Sequence, residues 1–205
     1  MNILHLNFSP RGPAAESYRL SRMIVDCLLK NAPEAIVLDR SLGEGGMPHV
    51  DANYARSQHD AAALIEQEGA MSRSEVLIRE LEDADAVVIG TPMHNLSVPS
   101  ALKAWIDHVV RARRTFNVTS AGKVGLLSDR PVFIAIASGG VFSGERARQP
   151  DFLTPYLKIV LGTIGLNDLR FFSVEGTGHG PEAVKEARAS AERAVHEHFG
   201  VLILA

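Results

Sequence analysis

The sequence predicts an α/β fold, a doubly wound parallel sheet of five strands with helices on both faces. Three observations carry that expectation. β-rich runs alternate with stretches of helical period, a pattern that sets parallel strands side by side with crossover helices between them. Several runs are continuously apolar rather than alternating, as expected of strands covered on both faces. At 205 residues and 46% hydrophobic, the chain suits one domain with a sizeable core.

The elements follow in order. The first strand is expected over 2–8 (NILHLNF). Leu20, Met23, Ile24, Cys27 and Leu28 then repeat at the i, i+3, i+4, i+7, i+8 spacing of one helix face. AIVLD (35–39) reads as the second strand. Residues 40–71 exceed the usual loop length; they carry Gly43, Gly45, Gly46 and Pro48, then an extra helix expected in ANYARSQHDAAALIEQ (52–67). Ser72 and Glu75 have capping-box spacing ahead of Val76, Leu77 and Leu81.

DAVVIG (85–90) is the third strand; Pro92 stops its ladder and Pro99 starts the next helix. That helix has Val98, Ala101, Leu102, Trp105, Ile106, Val109 and Val110 on one face. Residues 112–130 lack strong periodicity. VFIAIAS (132–138) is the fourth strand. A helix through Leu153, Tyr156, Leu157, Val160, Leu161 and Ile164 follows, with Thr154 as its cap, Pro155 in its first turn and Gly165 at its end. DLRFFSV (168–174) is the fifth strand, and Pro181 opens a final Ala-rich, charged helix. This succession fits the flavodoxin-like strand order 2-1-3-4-5, with residues 1–205 forming a single domain.

Composition narrows the function. A formal net charge of −3, with both signs spread along the chain, gives no support to nucleic-acid binding. The one cysteine, Cys27, falls on the apolar face of the first helix and reads as a small buried hydrophobe. With no disulfide possible within the chain, a reducing compartment and hence a cytoplasmic location are expected. The start, MNILHLNFSP, turns polar too soon for a signal peptide. No run of about eighteen apolar residues predicts a membrane span.

In an open α/β sheet, ligands bind beyond the carboxyl ends of the strands, near the switch in strand order. Three strand ends therefore belong together. After the first strand, SPRGPAAES (9–17) offers the hydroxyls of Ser9 and Ser17, the guanidinium of Arg11 and the opening turn of a helix. Such a turn favours an anion, and Arg11 would add charge-assisted hydrogen bonds. There is no G-x-G-x-x-G, so a mononucleotide phosphate fits better than a dinucleotide; a capped helix with a solvated arginine is the plain alternative.

After the third strand come Pro92, Met93, His94 and Asn95. Met93 offers a soft apolar surface and Asn95 both a donor and an acceptor, a combination suited to a heteroaromatic ring; a turn with an Asn cap is the alternative. After the fourth strand, ASGGVFSG (137–144) has paired glycines that would let a flat ligand approach the backbone. Each segment is a weak signal. Together they describe a phosphate site beside a planar polar ring.

On these residues the sequence resembles the FMN-dependent NADH-azoreductase family, a flavodoxin-like group that also reduces quinones. The likeness covers nearly the whole chain. It includes PMHN followed by LKAWIDHVVRARRTF, the SGG after the fourth strand, TPYLKIVLGTIG (154–165) and VEGTGHGPE (174–182). The resemblance implies bound FMN, with Ser9, Arg11 and the segment Ala15, Glu16 and Ser17 at its phosphate. Pro92, Met93, His94, Asn95 and Leu96 would line the isoalloxazine, and Ser138, Gly139 and Gly140 would flank its pyrimidine side. Phe116, Val118 and Phe142 fall at substrate-pocket positions. The chain departs from the family pattern in places: His94 stands where tyrosine is usual, Val118 where an aromatic often lines the pocket, and Phe142 where histidine can occur. Ala15 and Glu16 replace small polar residues.

The implied activity is hydride transfer from NADH or NADPH through flavin N5 to quinones or azo compounds, one site used twice in ping-pong order. No catalytic side chain and no metal are expected. The resemblance also implies a homodimer whose interface completes the site. Independently, a lone flavodoxin-like sheet leaves one flavin face open, and the long segments 40–71 and 112–130 are candidates to cover it. Two rivals are an electron carrier without its own NAD(P)H-dependent turnover, and a hydrolase using Ser9 or Ser138. Neither serine lies in G-x-S-x-G, and NADH-driven bleaching of a bound flavin separates the enzyme from the carrier.

Overall fold

The computed structural model describes residues 1–59 and 68–200. Five parallel strands form the main sheet: β1 (Asn2–Asn7), β2 (Ile36–Ser41), β3 (Ala86–Pro92), β6 (Val132–Ala137) and β7 (Leu169–Val174). Their order is β2-β1-β3-β6-β7, the expected 2-1-3-4-5 counted along the parallel strands. A separate antiparallel hairpin, β4 (Phe116–Thr119) with β5 (Gly122–Gly125), occupies the segment without periodicity. Each hairpin strand has four residues, too few for an alternating pattern to stand out.

The helices are α1 (Glu16–Asn31), α2 (Ala52–His59), α3 (Gly69–Asp83), α4 (Ser100–Val109), α5 (Thr154–Thr163) and α6 (Pro181–Phe199). Side chains alternate across each strand, so one sheet feeds two cores. Leu4, Leu6, Val87, Ile89, Ile134 and Ile136 pack with α3, α4 and α5 on one face. Ile3, Val88, Phe133, Ala135, Phe172 and Val174 pack with α1 and α6 on the other. Cys27 is buried in this second core, where burial pushes its thiol pKa up. Gly90 lets α1 approach the sheet closely, since a Cβ there would lie 2.7 Å from Ser21 Oγ. That approach brings the first turn of α1 beside the ends of β1 and β3.

Two local expectations are corrected, and a third is met as far as the described residues extend. Ser72 and Glu75 do not cap α3, because the helix already begins at Gly69; Glu75 instead pairs with Arg111 and Arg114. Thr154 lies inside α5 rather than at its cap. Asp151 does the capping, accepting from Leu153 N and Thr154 N at 2.9 Å each and from the Thr154 hydroxyl. The extra helix is present as α2, and residues 60–67 of that expectation lie outside the described residues. Among the described residues no helix is long and apolar enough to cross a membrane.

Candidate functional site

The register aligns the carboxyl ends of the central strands. Asn7 of β1 pairs with Gly90 of β3, Pro92 with Ala137 of β6, and Ala137 with Val174 of β7. The loops that follow β1, β3 and β6 therefore emerge at one edge, where the strand order reverses.

The first loop is a tight turn feeding α1. Ser9 N donates to Asn7 Oδ1 (3.2 Å) and Arg11 N to Ser9 Oγ (3.2 Å). Gly12 N, Ala14 N and Ala15 N donate to the carbonyls of Ser9, Arg11 and Gly12, closing a 3-10 turn over Gly12–Ala14. Ala15 is the N-cap of α1 and offers no side-chain acceptor, so the first-turn N–H groups of Glu16, Ser17 and Tyr18 start the helix ahead of its own ladder. Ser17 is fully buried, and its Oγ has no hydrogen-bond partner among the described residues; neither has Asn7 Nδ2. A buried polar atom without a partner costs about 1–3 kcal/mol. Ser17 Oγ lies in the first turn of α1, a setting that favours an anion, and Asn7 Nδ2 lies at the end of β1.

Glu16 adds a negative charge at this turn, and the fold neutralises it. Arg188 of α6 donates to Glu16 Oε2 (2.8 Å) and Oε1, and Arg19 Nε lies 3.4 Å from Oε2. Hydrogen bonding from Arg188 is the largest cause holding this carboxyl below its ordinary pKa. The Arg11 side chain is exposed and has no ion pair or hydrogen bond among the described residues.

The second loop is a two-residue turn. His94 N donates to Ser97 O and Ser97 N to His94 O, both at 3.0 Å. Between them Asn95 (φ 48°) and Leu96 (φ 70°) are left-handed, the arrangement of a type I′ turn. His94 and Asn95 are exposed, Pro92 and Leu96 are half-buried, and Met93 is buried. The Asn95 carboxamide has no partner among the described residues. Asn95 is not the cap of α4; Pro99 holds that position.

The third loop pairs its carbonyls with the segment that follows β7. Ser138 O accepts from Thr177 N (3.0 Å) and Thr177 Oγ1 (3.1 Å), Gly139 O from Gly178 N (3.0 Å), and Gly140 O from Gly176 N (3.1 Å). The N–H groups of Gly139 and Gly140 have no acceptor among the described residues, and a Cβ at Gly139 would meet nothing within 4 Å. Glu175 fixes the continuation: it accepts from Phe142 N (2.8 Å), Ser143 N (3.1 Å), Ser143 Oγ (2.6 Å) and Ser173 Oγ (2.8 Å).

The fold thus gathers Ser9 to Ser17, Pro92 to Leu96 and Ser138 to Gly140 at one edge. The expected pocket residues divide. Phe142 packs against the first core. Phe116 is buried under the Lys123 ammonium, 5.0 Å from its ring centroid. Val118 is 74% exposed on the hairpin, so within one chain it walls no pocket. Asn7 and Gln149 were missed by sequence reasoning. Asn7 carried one signal, a polar side chain ending an apolar strand; Gln149 carried none. A cavity of about 930 Å³ opens between the 141–146 loop and α6, lined by Arg146, Glu175, His179 and Arg193 among others. It shares no lining residue with 9–17, 92–96 or 138–140.

The comparisons agree with this geometry. The sequence model of a family described as flavodoxin-like fold matches residues 1–199. A Pseudomonas fluorescens protein named FMN-dependent NADH:quinone oxidoreductase 4 is 44% identical over 199 residues, covering 95% of this chain and 93% of its own. A Burkholderia lata protein named FMN-dependent NADH:quinone oxidoreductase 5 is 45% identical, covering 91% of each. Among solved structures, an azoreductase from Bacillus anthracis superposes with a TM-score of 0.83 at 22% identity, over 98% of this chain and 100% of its own. A second B. anthracis structure, an FMN-dependent NADH-azoreductase in complex with FMN, gives 0.77 at 23% identity over 96% of this chain and 98% of its own.

Proposed function

Because the chain belongs to the flavodoxin-like family of FMN-dependent NADH:quinone oxidoreductases, we propose that it binds FMN across the three loops and passes hydride equivalents from NADH to quinones or azo compounds. One observation carries this reading. The carbonyls of Ser9, Arg11, Gly12, His94, Leu96, Ser138, Gly139 and Gly140 are all paired, whereas Ser17 Oγ, Asn7 Nδ2 and the N–H groups of Asn95, Leu96, Gly139 and Gly140 have no partner among the described residues. A donor-rich, acceptor-poor edge suits a ligand that is anionic at one end and carries electron-rich carbonyls at the other.

The residues present fit such a group. Ser17 Oγ, the first-turn N–H groups and Arg11 would hold the phosphate, with Ser9 shaping the turn. Met93 would support the ring, and Asn95 and Leu96 would meet its edge. The N–H groups of Gly139 and Gly140 would lie at its pyrimidine side, where reduction places negative charge. Bound FMN supplies hydride acceptance and electron storage that no side chain has. No side chain acts as an acid or base in this account. With exposed His94 and Asn95 leaving one ring face accessible, NADH and then the acceptor would use the same face in ping-pong order.

We further propose a homodimer. Phe152 (59% exposed), Ile159 (73%), Val118 (74%), Val124 and Leu126 present apolar side chains from α5, the segment before it and the hairpin. The hairpin packs on the end of α5, with Leu127 N donating to Ile164 O at 3.0 Å. A second copy would cover this surface and put Val118 beside the ring face.

The test is the visible spectrum. Purified protein reconstituted with FMN should bleach on anaerobic NADH and recover on addition of a benzoquinone or an azo dye. A protein that retains no FMN, or one whose FMN is not reduced by NADH, would defeat the reading. Parallel double-reciprocal lines are expected; intersecting lines would exclude the ping-pong order. Sedimentation should give a dimer, and a fully active monomer would remove the dimer proposal.

A further inference from the structure

Gln149 ties the two ring-flanking loops together. Its Nε2 donates to Ser138 Oγ (3.1 Å) and to Met93 Sδ (3.2 Å). Its carboxamide also rests on Gly140, where a Cβ would lie 2.2 Å from Gln149 Oε1. Flanking backbone bonds fix its place: Arg148 N donates to Val141 O (2.9 Å) and Phe152 N to Leu96 O (3.1 Å). Segment 148–152 is therefore anchored to the loop after β6 at one end and to the loop after β3 at the other.

These contacts set the polarity of one hydroxyl. Ser138 is buried, and a serine hydroxyl has one proton to donate and two lone pairs to accept with. Gln149 Nε2 occupies a lone pair, so the Ser138 proton remains available. Its only recorded acceptor among the described residues is Met93 Sδ at 3.8 Å. A thioether is a weak acceptor, and it already accepts a hydrogen bond from Gln149 Nε2. The Ser138 hydroxyl can readily turn its hydrogen bond to a better acceptor.

We propose that Gln149 is a positioning residue for the flavin couple: by donating to Ser138 Oγ, it commits that hydroxyl to donate to the pyrimidine edge of bound FMN. The inference rests on the reading that the 138–140 loop flanks that edge. Reduction makes the edge more electron-rich, so a committed donor favours reduced over oxidised FMN and raises the midpoint potential. Glutamate at position 149 would reverse the arrangement, because an ionised carboxylate only accepts and would draw the Ser138 proton to itself.

The experiment is a potentiometric titration of the FMN-loaded protein with Gln149→Met and Gln149→Glu, each also made in a Ser138→Ala background. Thermal melts report whether each variant folds. Gln149→Met keeps the bulk without the donor and should weaken reduced FMN relative to oxidised FMN several-fold. Gln149→Glu should weaken it about tenfold or more, a fall of about 30 mV for a two-electron couple. In the Ser138→Ala background Gln149→Met should cause no further shift. A wild-type potential in Gln149→Met, or the same shift with and without Ser138, would overturn the proposal. Wild-type protein that takes up no FMN would instead overturn the functional reading on which it rests.

Discussion

Ser17→Ala should move stability and cofactor affinity in opposite directions. The hydroxyl is fully buried, has no partner among the described residues and lies in the first turn of α1. Without ligand it is an unmet polar group, costing about 1–3 kcal/mol. Alanine removes that cost and raises helix propensity by up to about 0.5 kcal/mol, while losing one small atom from the packing. The net expectation is a ligand-free protein about 1 kcal/mol more stable, raising Tm by about 2–4 °C for a chain of this size.

With FMN the same hydroxyl would donate to a phosphate oxygen. A hydrogen bond to a charged group contributes about 1.5–3 kcal/mol, so affinity should fall roughly tenfold to hundredfold. Riboflavin has the same ring and no phosphate, and its affinity should not change. The assays are thermal unfolding of ligand-free protein and titration of flavin fluorescence. A less stable ligand-free variant with unchanged FMN affinity would show that Ser17 is a packing residue and would refute the phosphate assignment. Equal losses for both flavins would point to a distorted helix rather than a lost contact.

Three further outcomes are expected. Arg11→Ala should lower FMN affinity roughly tenfold to hundredfold and spare riboflavin; no loss for either flavin would return Arg11 to a solvated surface role. Arg188→Ala exposes the phosphate turn to an incompletely compensated Glu16 and should weaken FMN binding several-fold, with Glu16→Gln in the same background restoring it; failure of that rescue would break the electrostatic argument. Glu75, held near pKa 2 chiefly by hydrogen bonds from Arg114 and then from Arg111, has a folded pKa below its unfolded one. Its contribution is therefore complete above about pH 4.5 and is lost as pH falls toward 2. Glu75→Gln should flatten this part of the acid-denaturation curve, by less than about 3 kcal/mol because water screens the pair; an unchanged curve would contradict the assignment.

The layering of the fold was readable because two-sided burial leaves a strong trace. VFIAIA must be apolar throughout, with Val132, Ile134 and Ile136 feeding one core and Phe133 and Ala135 the other. Capping left a weaker trace. Asp151 and Thr154 are both good cap residues three positions apart, and their choice depends on how the loop meets α5. Ser72 and Glu75 had capping spacing, but the requirement that decides Glu75 comes from Arg111 and Arg114, 36 and 39 positions away. The loop positions of the site could be read from strand ends alone, whereas Gln149 could not. Its role comes from the path of 141–149 folding back on itself, which no local pattern encodes.

The turn after β3 shows why the site's chemistry is tied to backbone strain. Asparagine tolerates the left-handed region, but leucine does not, and a residue held there costs on the order of 1–3 kcal/mol. Leu96 is kept in place by the paired His94–Ser97 bonds, by Phe152 N on its carbonyl, and by Met93 N on Ala137 O at 2.8 Å. These bonds use the carbonyls of His94, Leu96 and Ser97, and they leave the N–H groups of Asn95 and Leu96 without acceptors among the described residues. A relaxed turn would spread donors and acceptors on both sides. The strained one pairs the carbonyls of His94, Leu96 and Ser97 and leaves two N–H groups outside, and the 138–140 loop does likewise by pairing its carbonyls with Gly176, Thr177 and Gly178. For a reaction that makes its cofactor more electron-rich, donors fixed in advance stabilise the reduced state without having to reorient. On the proposed binding mode, the strain held in the turn would keep those donors aimed at the ring when it carries the extra electrons.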